Sequence, residues 1–117
     1  AKVPALSGCL PEANHNEMIG FDPVFSGQFV FLLLPDPWMH PRIRDRFRLF
    51  ADVMGDQGYR THTLPLSGAD PLTAIYESLL LADWTSGALA ARRGVDPVTI
   101  PVIQDFKGRL GDWRGDG

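Results

Sequence analysis

The sequence is poor in cysteine: Cys9 is the single one among 117 residues. One thiol excludes an internal disulfide and a cysteine-based zinc site, so a reducing compartment such as the cytoplasm fits best. No neighbouring residue suggests an activated nucleophile, and we interpret Cys9 as a small buried residue.

Long apolar stretches and excess positive charge are also absent. The longest uninterrupted apolar run, at 29–34, is far shorter than the roughly 20 residues that a membrane helix needs, and no secretory signal pattern opens the chain. The formal net charge of −3 disfavours nucleic acid as a partner. These absences predict a globular protein that binds neither membranes nor nucleic acid.

A third absence concerns phosphate binding. No Gly-rich or Ser/Thr-rich loop directly follows a predicted strand, although such loops commonly provide the backbone N–H groups that hold a phosphate. Ser67-Gly68-Ala69-Asp70 comes closest, but the carboxylate of Asp70 would repel a phosphate. We interpret Asp70 instead as the N-cap of a helix with Pro71 at its first position.

What the sequence does contain is an alternation of helical and strand patterns. We predict one domain over 1–117: a helix and loop at 1–20, a βαβα unit with a C-terminal helix at 29–110, and a flexible tail at 111–117. The strands are at 29–34 and 59–66, and the helices at 11–19, 40–54, 70–93 and 99–110. This order predicts an α/β fold with a parallel sheet between helices.

The sheet has too few strands for that architecture. A parallel sheet is normally covered on both faces and needs more than two strands. The chain also begins with Ala rather than Met. We therefore expect the first one or two strands to lie upstream of residue 1 or to come from a partner chain.

The helical patterns also predict how three helices pack. The helix at 40–54 has one apolar stripe, and its other face carries arginines that we interpret as solvated rather than phosphate-binding. The stripe is Ile43, Phe47, Phe50 and Met54, and the arginines are Arg42, Arg44, Arg46 and Arg48. The helix at 70–93 is apolar nearly all round, so it needs cover from the chain or from another subunit. We expect Thr99 to cap the last helix.

The densest polar cluster is Glu12-Ala13-Asn14-His15-Asn16-Glu17. A histidine among amides and carboxylates can be held in one tautomer and can act as a general acid or base near neutral pH. The alternative is a solvated first helical turn, whose acidic residues suit a helix N-terminus. The spacing matches no common metal motif, so no metal is predicted. We interpret His40 as a helix cap and His62 as structural.

Several short segments of the sequence, here called blocks, indicate more than their residue composition alone, because their residue order matches a known pattern. They lie at 1–5, 10–21, 36–43, 82–86 and 93–101, and together they span nearly the whole chain. In this order they resemble the bacterial and archaeal bifunctional phosphoglucose/phosphomannose isomerases. Asn-His-Asn-Glu at 14–17 together with Arg-Gly-Val-Asp-Pro at 93–97 is fairly specific. The resemblance implies a homodimer with two sugar isomerase (SIS) subdomains in each chain. This chain resembles the second subdomain, a three-layer αβα unit, without its first βα unit.

The resemblance also implies a reaction and its residues. Glucose 6-phosphate or mannose 6-phosphate is converted to fructose 6-phosphate through an enediol, without a cofactor or a metal. His15 matches the family's histidine, which helps to open the sugar ring in the neighbouring subunit's site. Lys107 matches a lysine that assists near the ring oxygen, and Thr99 matches a threonine near the sugar.

Other parts of the family's site have no match in this chain. The glutamate that moves the proton between C1 and C2 would lie just before Ala1, and the phosphate-binding Ser and Thr residues belong to the first subdomain. We therefore expect the 117 residues alone to be inactive. Gly87 and Ala88 depart from the family pattern, which usually has a bulky residue there. Two alternatives stay open: a non-catalytic SIS module that senses a phosphosugar, and a structural half-domain that needs a partner.

Overall fold

The computed structural model describes residues 5–10 and 12–111. The predicted tail therefore lies outside the described residues, except for Gly111. The elements, in chain order, are a π-helical turn (Ala13–Glu17), two 3-10 turns (Met18–Gly20 and Pro23–Phe25), β1 (Val30–Leu33), α1 (Pro41–Asp56), β2 (Arg60–Thr63), α2 (Pro71–Arg92) and α3 (Pro101–Leu110). Both predicted strands and the helices predicted at 40–54, 70–93 and 99–110 are confirmed to within a few residues. The segment predicted as a helix at 11–19 instead forms π and 3-10 turns over 13–20, and residue 11 lies outside the described residues.

The described residues divide into two compact units. The sheet unit comprises Ala5–Leu80, and the C-terminal unit begins at Leu81. The division falls within α2, which contributes its first part to the sheet unit and its second part to the C-terminal unit. Each unit is described by itself.

The sheet consists of β1 and β2, which pair in parallel. Leu33 lies opposite Thr63, and beyond them the N–H of Leu64 donates to the carbonyl of Leu33 at 2.8 Å. Parallel strands cannot be joined by a tight turn, and α1 provides the crossover that they need. The predicted α/β class, with a partial parallel sheet flanked by helices, is confirmed.

The core of the sheet unit is the cluster formed by Leu33, Phe50, Met54 and Tyr59. Phe50 and Met54 belong to the predicted apolar stripe of α1, and Met54 is completely buried. The ring of Phe31 lies edge to face with two of these residues, at centroid distances of 5.2 Å from Phe50 and 5.4 Å from Tyr59. Edge-to-face contacts of this kind are favoured by the ring quadrupoles. The predicted stripe therefore forms half of the core cluster.

Other residues pack against one face of β1 but leave its other face accessible to solvent. Successive side chains of a strand point to opposite faces, and here Phe31 and Leu33 point to the core cluster. Val30 and Leu32, on the other face, are 46% and 55% exposed. The uninterrupted apolar run predicts cover on both faces, and the described residues cover one of them; cover of the other face stays a prediction. The second face is apolar and solvent-accessible in this chain by itself.

The apolar side chains of α2 are largely exposed as well. Seven of them have half or more of their surface accessible: Leu72, Ile75, Tyr76, Leu79, Leu80, Leu81 and Trp84. Ala74 and Ala90, by contrast, are buried. The described residues therefore do not supply the predicted cover, and cover by another subunit stays a prediction. In the part of the chain that the structure describes, no helix combines the length and the apolar character needed to cross a membrane.

Two helix boundaries follow the local chemistry of the sequence. The Nδ1 atom of His40 accepts a hydrogen bond from the backbone N–H of Arg42 at 3.1 Å, which confirms His40 as the N-cap of α1. Gly58 follows the end of α1 with φ of 87°. This is a left-handed conformation, in which glycine is favoured because it has no Cβ.

Two local predictions are wrong. Thr99 does not cap α3, because the helix begins at Pro101 and has Ile100 as its N-cap, without a side-chain hydrogen bond. Proline is suited to the first helical position, since its φ is already helical, and it sets the start of α3 beyond Thr99. Cys9 is exposed rather than buried.

Asp70 caps α2 as predicted. Its Oδ1 accepts from the backbone N–H of Thr73 at 3.0 Å, and its Oδ2 accepts from the Thr73 hydroxyl at 2.8 Å. These bonds, the backbone bond first, hold the pKa of Asp70 below its ordinary value of 3.8. The loop before it passes close to the helix at Gly68, where φ is 132° and a Cβ would lie 2.6 Å from the backbone nitrogen of Ala74.

The cap gives a pH-dependent prediction for Asp70→Asn. Asparagine keeps a capping carbonyl but has no charge. A carboxylate with a lowered pKa stabilises the fold above its unfolded-state pKa, and this contribution disappears as the pH falls through the folded-state pKa. We expect the variant to melt a few degrees below the parent protein at about pH 7, and this difference to shrink at about pH 2. Calorimetry at both pH values measures it. Asp83→Asn, exposed on the same helix, is the control, and an equal difference at both pH values would contradict the prediction.

Candidate active site around His15

His15 lies at the centre of the π-helical turn Ala13–Glu17 in the sheet unit. The N–H of Met18 donates to the carbonyl of Ala13, five residues earlier, which is the hydrogen bond that defines a π-helix. Single π turns occur frequently at functional sites. The side chain of His15 is exposed, so its imidazole is accessible to a ligand or to a neighbouring molecule.

The turn is fixed by contacts at its ends and in its middle. Leu10 and Met18, on either side, pack against the core cluster. In between, Nη1 of Arg46 donates a hydrogen bond to Oδ1 of Asn14 at 3.3 Å, and both side chains are half-buried. The N-cap, Glu12, makes no side-chain capping bond. The turn is therefore held by its own backbone bonds, by α1 and by the core rather than by a side-chain cap.

A surface cleft adjoins the turn. It has a volume of about 430 Å³ and is lined by Leu6, Ser7, Glu17, Gly20 and Phe21. The carboxylate of Glu17 lies so close to Gly8 that a Cβ added there would be 2.9 Å from Oε2. The Ser7 hydroxyl and this carboxylate can hydrogen-bond to hydroxyl groups, whereas the carboxylate would repel a phosphate.

The polar cluster does not form a metal site in the described part of the chain. Among residues 5–10 and 12–111, no three His, Cys, Asp or Glu side chains are grouped so that they could hold a metal ion. Glu12, His15 and Glu17 are therefore not grouped as metal ligands in this part of the chain.

The two other predicted site residues lie in the C-terminal unit. Lys107 is exposed in the last turn of α3, where a cation also interacts favourably with the helix dipole. The backbone N–H of Thr99 donates to Oδ2 of Asp96 at 3.2 Å, and Asp96 also accepts from the N–H of Val98 at 2.9 Å. Asp96 thus orders the segment before α3. The roles of Lys107 and Thr99 in binding or catalysis stay predictions.

Comparison with known proteins decides the family. The family model of the bacterial phospho-glucose isomerase C-terminal SIS domain matches residues 1–110. The chain belongs to this family. A bifunctional phosphoglucose/phosphomannose isomerase of Aquifex aeolicus (strain VF5) is 34% identical over 111 residues, which are 94% of this chain. They are 35% of the relative, so the chain spans about a third of that protein's length. No solved structure is detectably similar.

The sequence did not indicate one residue that lies near His15 in this SIS domain. Arg46 was assigned to the solvated face of α1, yet its side chain is half-buried against Asn14. Residues three and four apart are neighbours on a helix surface. Arg46 is therefore adjacent to Ile43 and Phe50 of the apolar stripe, and this position at the border of the stripe could have identified it.

Proposed function

We propose that this SIS domain is part of a sugar-phosphate isomerase that converts glucose 6-phosphate or mannose 6-phosphate to fructose 6-phosphate through an enediol. The observation that carries the proposal is the family match together with the exposed position of His15 in its Asn-His-Asn-Glu block. The Aquifex relative is named a bifunctional phosphoglucose/phosphomannose isomerase. Because the chain covers 35% of it, the activity is proposed for the whole protein, and the 117 residues alone are expected to be inactive.

The proposed reaction gives each site residue a chemical task. Opening the sugar ring requires a proton to be given to one oxygen and taken from another, and imidazole does both near neutral pH. His15 is proposed for this step. Lys107 would stabilise the negative charge that develops on an oxygen, and the hydroxyl of Thr99 would bind the sugar. Proton transfer between C1 and C2 requires a positioned carboxylate, which the resemblance places before Ala1.

The proposed assembly is a cytoplasmic homodimer in which His15 reaches the neighbouring subunit's site. Two features support it. The imidazole of His15 is exposed rather than directed into its own core, and α2 has apolar side chains such as Trp84 that are more than half exposed. Large exposed apolar surfaces commonly mark contacts between proteins.

The test is an assay of the full-length protein with fructose 6-phosphate in D₂O. An enediol mechanism predicts that glucose 6-phosphate and mannose 6-phosphate form and carry deuterium at C2, because the proton taken from carbon exchanges with solvent. NMR spectroscopy detects both products and the label. Binding of the sugar phosphate without turnover would favour the phosphosugar-sensing module instead. An absence of both binding and turnover would contradict the proposal.

A further inference from the structure

Arg46 differs from the other arginines of α1. Arg42, Arg44 and Arg48 are exposed, whereas Arg46 is half-buried and donates from Nη1 to Oδ1 of Asn14 at 3.3 Å. The bond joins residues that are 32 positions apart in the sequence. It therefore connects α1 directly to the turn that carries His15.

The backbone bonds of the turn stay within its own segment: the N–H of Ala13 donates to the carbonyl of Cys9 and the N–H of His15 to that of Glu12, both at 2.9 Å. A π turn is rare, and these local bonds do not connect it to the rest of the sheet unit. Glu12 supplies no capping bond, and the core contacts of Leu10 and Met18 are at the two ends. Asn14 lies in between, directly before His15. The bond from Arg46 to Asn14 therefore connects the residue next to His15 to α1, at a position between the two core contacts.

We propose that Arg46 is a positioning residue for His15, acting through Asn14. The proposal rests on the proposed function and adds a residue to it. Phe50, one turn further along α1, is 6% exposed in the core, so the helix gives Arg46 a rigid base. The guanidinium offers several N–H donors in a fixed plane, whereas lysine has one ammonium on a flexible stem. Arg46 thereby fixes the direction in which the imidazole leaves the turn.

The test compares Arg46→Ala, Arg46→Lys and Arg48→Ala in the full-length protein. Arg48→Ala is the matched control, because it removes the same charge from an exposed position of the same helix. Amide hydrogen exchange over 12–18 measures how well the turn is held, independently of activity, and kcat and KM measure the consequence. Arg46→Ala is expected to exchange about tenfold faster over 12–18. Its kcat is expected to fall about ten- to a hundredfold, with KM changed less than about twofold.

The other variants test whether the loss of kcat is specific to Arg46 and its bond to Asn14. Arg46→Lys should recover part of the lost kcat, and Arg48→Ala should match the parent protein in both measurements. Because Arg46 acts through Asn14, the double variant Arg46→Ala/Asn14→Ala should lose no more kcat than the worse of the two single variants. Fully additive losses would overturn the proposal.

Two further outcomes separate this proposal from the proposed function. Unchanged exchange over 12–18 in Arg46→Ala would overturn the role of Arg46, whether or not the parent protein is active. Faster exchange with an unchanged kcat would also overturn it, because the bond would then be only structural. A parent protein that is inactive on sugar phosphates would instead overturn the proposed function.

Discussion

Replacing His15 with alanine is expected to lower kcat/KM for fructose 6-phosphate by about a hundredfold to ten-thousandfold, the usual contribution of a general acid–base group. The loss arises because the ring form of the sugar must open before the enediol can form. The side chain is exposed, so its removal should leave thermal stability unchanged. His62→Ala is the matched control, since His62 is exposed on β2 in the same unit. Undiminished activity in His15→Ala would contradict the assignment.

If each active site takes residues from both subunits, two inactive variants should restore activity when they form a mixed dimer. If His15 acts in the neighbouring subunit and Lys107 in its own, a dimer of His15→Ala with Lys107→Ala keeps one intact site of two. Random pairing makes half of the dimers mixed, so co-expression should give about a quarter of the parental activity. No recovery above the single variants would show that His15 does not act across a dimer.

The largest expected effect on stability is that of Phe50→Ala, at about 3–5 kcal/mol. Phe50 is 6% exposed and belongs to the core cluster, where the ring of Phe31 meets it edge to face at 5.2 Å. Its removal takes one member from that cluster and leaves a cavity that α1 and the strands cannot close. Because the core of the sheet unit is small, few other contacts compensate.

Urea unfolding of the full-length protein measures this effect, with amide exchange in β1 and β2 reporting on the sheet unit itself. Leu49→Ala is the control, because Leu49 precedes Phe50 on α1 but is 54% exposed, and it should cost less than about 1 kcal/mol. Equal stability of the two variants would contradict the assignment of Phe50 to the core.

The elements of the fold could be predicted because their determinants are local. An uninterrupted apolar run indicated β1, a weak alternation indicated β2 and an apolar stripe indicated α1. The capping chemistry of His40 and Asp70 indicated two helix starts. Residue type favours Thr99 as the cap of α3, but Pro101 occupies the first helical position and makes Ile100 the N-cap. The sequence pattern did not distinguish a π turn from an α-helical turn at 13–17, because both place the same residue types in a short helical segment between Leu10 and Met18.

Less of the candidate site than of the fold could be predicted from the sequence. Residue types and their order indicated His15, but the sequence could not show that Arg46 touches Asn14, since the two residues are 32 positions apart and meet only in the folded chain. The sequence also could not show which chain covers α2 and the outer face of β1. A pattern shows that a face is apolar, but it does not show which chain covers it.

The π turn has a consequence for how insertions and deletions in this segment act. Leu10 and Met18 both contact the core, so the chain between them has a fixed span. A residue removed between them would tighten the turn towards an α-helix and rotate the positions beyond it by about 100°. The imidazole would then point elsewhere although every remaining residue was unchanged. When related sequences are aligned, a gap between these two anchors therefore changes the direction of the histidine, and identity at position 15 alone does not establish an equivalent site.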